Sequence, residues 1–127
     1  MEKLNKKLAQ ELESPFHAYL FLGNTSSHLL RQAKIFGSKV LFNSEEEIEH
    51  PDIKVVASEN LNTLGVDDIR NIIENDGLVP VEGRYKIVIF PPVKSLTEEA
   101  SNALLKTLEE PSESSIFILT SSGKFWS

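Results

Sequence analysis

The chain has 127 residues, 40% of them hydrophobic and 25% charged, a balance that excludes disordered, collagen-like and membrane-spanning classes. One domain is expected at this length, able to bury about 68% of the surface its unfolded chain exposes. Thirteen basic against nineteen acidic residues leave a net charge of −6, which argues against nucleic-acid binding through the bulk field of the domain.

In chain order, Leu4, Leu8 and Leu12 recur at helical spacing among Lys and Glu, predicting an amphipathic helix over Met1–Glu13 stopped by Ser14-Pro15. That segment has no apolar stretch of secretory type, so a cytoplasmic address and no membrane partner are expected. His17-Ala18-Tyr19-Leu20-Phe21-Leu22 is a nearly continuous apolar run ending at Gly23, the pattern of a buried strand. Ser26 or Ser27 then caps a helix carrying Leu29, Leu30, Ala33 and Phe36, with Gly37 as its stop. Lys39–Phe42 reads as a short strand, Glu45-Glu46-Glu47 as a solvated loop or frayed helix, and Ile53–Ala57 as a third strand. Val66–Asn75 has Ile69, Ile72 and Ile73 on one helical face, with Gly77 at the end. Tyr85–Phe90 is the strongest strand signal, ended by Pro91-Pro92, which cannot donate to a ladder. Ser95-Leu96-Thr97-Glu98 has the spacing of a capping box; the helix it opens runs to Glu110, and Ile116–Thr120 is a further buried strand. Alternating helices and strands predict an α/β fold with a mostly parallel sheet in a single domain, 1–127.

The strand–glycine–turn–helix layout from His17 to Ala33 is that of a phosphate-binding loop. Such a loop needs backbone N–H groups to wrap phosphate, a Lys to reach the β- and γ-phosphates, and a hydroxyl for magnesium. Here it reads Gly23-Asn24-Thr25-Ser26-Ser27-His28-Leu29-Leu30, so His28, Leu29 and Leu30 stand where Gly, Lys and Ser/Thr should. The carboxylate that would hold magnesium at the end of a buried strand is replaced by Pro91 and Pro92. Both halves of the chemistry are lost, and hydrolysis is not expected. Only the helix start near Ser26 and Ser27 retains N–H groups that attract an anion. His17, His28 and His50 lack ligand spacing, and there is no cysteine, so neither a metal site nor a thiol nucleophile is expected. Glu109-Glu110 reads as a solvated helix end, Ser121 and Ser122 lack a nucleophile elbow, and Phe125-Trp126 reads as packing or a partner contact.

The stretch Asn102-Ala103-Leu104-Leu105-Lys106-Thr107-Leu108-Glu109-Glu110-Pro111, followed by Ser115–Thr120, resembles the bacterial clamp-loader family of DNA polymerase III, its delta-prime and gamma/tau subunits. His50-Pro51-Asp52, Val66–Arg70, Tyr85–Ile89 and His17–Gly23 follow in the family's order, so the likeness covers nearly the whole chain. It implies a P-loop NTPase-like (AAA+) parallel sheet flanked by helices, cut short before the last core strand, the lid and a Ser-Arg-Cys arginine-finger motif. Motor members carry Gly-Lys-Thr at His28-Leu29-Leu30, Asp-Glu at Pro91-Pro92, and often four zinc-binding cysteines that this chain lacks. The losses point to the delta-prime branch, a non-catalytic stator without nucleotide cofactor. Its implied partners are the gamma/tau and delta subunits, with the sliding clamp and primed DNA reached only indirectly. The helix Thr97–Glu110, through Asn102, Lys106 and Glu109, is the expected subunit interface. The alternatives are an ATP-hydrolysing motor subunit and a free-standing interaction module of the same fold.

Overall fold

The computed structural model describes residues 4–23, 25–56, 63–65, 67, 79–91, 95–96, 98–109 and 114–121. Four strands form one parallel sheet in the order β1-β6-β4-β2, where β1 is Ala18–Leu22, β2 Ile53–Val55, β4 Lys86–Phe90 and β6 Ser115–Ser121. Two short segments, β3 (Thr63–Leu64) and β5 (Ser95–Leu96), pair in parallel as a separate ribbon. The neighbours in the main sheet are far apart in sequence, as parallel pairing requires crossovers. In register, Ala18 faces Phe117, Ile87 faces Ile116, and Ile53 faces Ile87.

The two central strands are covered on both faces, and their sequences say why. All five residues of β4 are buried, as are Ile116 to Thr120 of β6. Ile87, Ile89, Ile116 and Ile118 turn one face toward Leu29, Ala33, Phe36 and Val40, while Phe90 and Phe117 stack with ring centres 6.3 Å apart. Lys86 is buried too, and its Nζ donates to the carbonyl of Pro51. The expected strand at 85–90 therefore forms, one residue shorter.

β1 departs from expectation. It is an edge strand, paired among the described residues only with β6, with Leu20 47% and Leu22 70% exposed. An uninterrupted apolar run does not tell a central strand from an edge.

The helix α2 (Ser26–Phe42) has 17 residues and overrides two readings. Gly37 does not stop it, and Lys39–Phe42 is its last turn rather than a strand. Leu29, Ala33, Phe36 and Val40 form one stripe on the sheet, and that packing outweighs the cost of about 1 kcal/mol for an interior glycine. The stop is Asn43, in the left-handed region with φ 53°, its N–H donating to Lys39 O. The start is capped by Thr25, not by Ser26 or Ser27. Thr25 Oγ1 accepts the His28 N–H at 3.3 Å.

The N-terminal helix is much shorter than the leucine spacing predicts. Described from residue 4 onward, α1 covers Lys6–Ala9, because Asn5 accepts the Lys7 N–H and begins the helix there. Leu4, Leu8 and Leu12 still pack on the core, and Asn5 N donates to Gln32 Oε1 at 2.9 Å, tying this arm to α2. The third helix bounded within the described residues, α3, is Glu98–Glu109; Ser95 lies in β5 rather than at a cap, and Thr97 lies outside the described residues. The loop 45–47 is exposed as expected, with Lys39–Glu45 and Arg31–Glu47 ion pairs at 2.9 and 3.9 Å. Of the helix expected at Val66–Asn75 only Asp67 is described, as helical, and Ala57 and Gly77 are likewise outside.

Candidate functional site

Parallel topology puts the ends of β1, β4 and β6 on one edge of the sheet, the edge where α/β folds place ligands. Phe21 pairs with Thr120 and Phe90 with Leu119, so the loop after β1 and the turn after β4 stand on either side of the end of β6. The two positions singled out in the sequence, Gly23–Leu30 and Pro91, are thus brought to the same edge; Pro92 lies outside the described residues.

The loop is built around Leu29. Its side chain is 3% exposed and belongs to the core cluster with Phe21, Ala33 and Phe36. A Cβ on Gly23 would come within 2.9 Å of Leu29 Cδ2, so the glycine makes room for this leucine. Thr25 and Ser27 are exposed, His28 is exposed, and Leu30 is half-buried against the core; Asn24 and the Ser26 side chain lie outside the description. At the second position β4 runs from buried Phe90 straight into half-buried Pro91. An aliphatic chain and a prolyl ring offer neither charge nor lone pair to a magnesium–triphosphate, so the described residues at these two positions do not fit that group.

Thr120, which the sequence reading passed over, is fully buried at this edge and donates its hydroxyl to Phe90 O at 2.6 Å. The proton it could offer a ligand is committed to the neighbouring strand. Beside the loop runs a groove of about 370 Å³ between α1, β1 and α2, lined by Lys7, Leu8, Leu22, His28, Leu29 and Gln32 among others. Four leucines and Phe21 share its walls with the polar residues Asn5, Lys7, His28 and Gln32.

The candidate interface residues form a separate group. Asn102, Lys106 and Glu109 are all exposed, and their spacing of four and three aligns them on one face of α3.

A further cluster, unforeseen as a unit, sits at the opposite end of the sheet, where β2 and β4 begin. The fully buried Asp52 accepts three backbone N–H groups, from Val81 to Oδ1 at 2.5 Å and from Glu82 and Gly83 to Oδ2 at 2.8 and 2.6 Å. Burial pushes its carboxyl up, but these three backbone donors outweigh that and hold it below the usual carboxylate range. His50 Nδ1 accepts the Asp52 N–H at 2.9 Å, and Nε2 lies 2.6 Å from Glu82 Oε2. The sequence marks His50-Pro51-Asp52, but neither Val81–Gly83 nor the pairing of the two segments across some thirty positions.

Residues 1–124 match the family described as DNA polymerase III, delta subunit. The chain is 36% identical over 118 residues to DNA polymerase III subunit tau of Bacillus subtilis, an alignment covering 81% of this chain and 21% of that protein. It is 44% identical over 71 residues to DNA polymerase III subunit delta' of Escherichia coli K12, covering 55% of this chain and 21% of the relative. A crystal structure of a DNA polymerase III gamma subunit-related protein from Thermotoga maritima superposes with a TM-score of 0.66 at 27% identity, over 91% of this chain and 38% of that one. The chain therefore spans about a fifth of the length of these curated relatives. Its α/β sheet is that of the AAA+ class, and with the match running along almost all its length the chain belongs to the DNA polymerase III delta-subunit family.

Proposed function

We propose that the chain is the AAA+ portion of a delta-prime-like clamp-loader subunit that works without a nucleotide of its own. One observation carries this reading: Leu29 is folded into the core against Gly23, at the position from which a phosphate-binding lysine would have to reach outward. The strand-end carboxylate is lost as well, at Pro91, so one substitution would not restore a magnesium site. On this reading the chain works in the cytoplasm by shape, packing against gamma/tau and delta subunits so that their nucleotide cycle opens and closes a sliding clamp on primed DNA. Asn102, Lys106 and Glu109 supply the polar face of one such contact.

A motor reading draws support from the longer alignment with a tau subunit. Titration calorimetry with magnesium and ATP, with a phosphate-release assay beside it, decides between them. No saturable binding and no phosphate release are expected; micromolar affinity would overturn the nucleotide-free reading, and phosphate release would support the motor. Co-purification with other polymerase III subunits, weakened by Lys106→Glu, is the companion test. Retention of every partner by that variant would remove α3 from the interface.

A further inference from the structure

The cluster at the entrance to β4 has a geometry that fixes protons as well as backbone. The Asp52 N–H points at His50 Nδ1 from two residues on, the relation a side-chain acceptor makes in an Asx-type turn. Nδ1 must therefore present a lone pair, which puts the ring proton on Nε2, directed at Glu82 Oε2 2.6 Å away. Asp52 meanwhile gathers Val81, Glu82 and Gly83, so Glu82 is held twice, by backbone and by side chain. Gly83 is needed at close range, since a Cβ there would lie 3.0 Å from Leu41 Cδ2 and 3.4 Å from Asp52 Oδ2.

We propose that His50, Asp52 and Glu82 form a proton-gated latch that fastens residues 81–83 to the start of β2. It is closed only while His50 is neutral with its proton on Nε2 and Asp52 is ionised. Among the described residues, no carboxylate other than those of Asp52 and Glu82 is paired with His50. From α2 His50 meets the Phe42 ring, at 4.8 Å between centres. Arg84 directs its guanidinium to Val40 O, and Lys86 its ammonium to Pro51 O. Protonating Nδ1 sets one donor against another, and the next acceptor, Asp52 Oδ2, is 3.7 Å away, so the ring must swing and release the Asp52 N–H. Protonating Asp52 removes acceptor capacity from the three loop amides. Because that carboxyl is held below its ordinary value, its hold is complete above about pH 4 and is lost as pH falls further, through the lowered value.

Amide hydrogen exchange of the 127-residue chain against pH, corrected for intrinsic rates, tests the latch. Val81, Glu82 and Gly83 are expected to lose protection in two steps, one as His50 gains a second ring proton and one as Asp52 is protonated, while Ile87–Phe90 stay protected. His50→Asn keeps an oxygen for the Asp52 N–H but cannot titrate, and is expected to abolish the first step and keep the second. Asp52→Asn is expected to lower protection at 81–83 by about tenfold or more at neutral pH. Nitrogen shifts of the His50 ring give a readout independent of any variant. A proton on Nδ1 at neutral pH would overturn the proposal, as would loop amides that follow β4 at every pH.

Discussion

A lysine at position 29 is the change that would make this loop look most like a working one, and the packing says what it would do. Leu29 is enclosed by Phe21, Ala33 and Phe36, so Leu29→Lys must place an ammonium among them or push the stem out past Gly23. The expected cost is about 3 kcal/mol in urea denaturation, with no gain of magnesium–ATP affinity by calorimetry, since nothing at Pro91 holds the metal. Sequence alone made the loss at 29 legible, because residue type reports charge directly. That Gly23 accommodates a neighbouring leucine rather than a phosphate was not legible, because it depends on a distance of closest approach. The Asp52 cluster was hidden for a related reason. A carboxylate that bonds to backbone leaves no mark on the identities of the residues whose N–H groups it takes.

At the scale of elements, the two central strands were read well, but Lys39–Phe42 was misread as a strand and the helix ends were read poorly. Burial on both faces writes itself into β4 and β6 as runs of Ile, Val and Phe, whereas helix boundaries turn on single caps. Thr25, Asn5 and Asn43 each moved a boundary, and Gly37 failed to set one. That glycine makes a prediction. It lies in the interior of α2, and a Cβ added there would meet Ile87 Cγ2 at 3.4 Å, about van der Waals contact. Gly37→Ala is expected to stabilise the chain by about 0.5–1 kcal/mol, read as a raised urea midpoint with unchanged slope. A loss of stability would mean that α2 already sits on the sheet as closely as it can.

For the molecule as a whole, a parallel sheet whose two central strands are covered on both faces brings the loop after β1 and the turn after β4 to one margin although some seventy positions separate them in sequence. The order of elements was enough to expect this, since only crossovers can join parallel neighbours. What the order did not reveal is how bare the outer strand is. Among the described residues β1 offers its unpaired side to water, flanked by Leu20, Leu22 and Phe16, the last 60% exposed. Such a margin is a template for backbone donors and acceptors of any extended segment that drifts past. Prepared alone, the polypeptide should therefore self-associate as its concentration rises, giving light scattering steeper than proportional. Replacing Leu22 with Lys should flatten that curve and leave the fold's circular dichroism as it was.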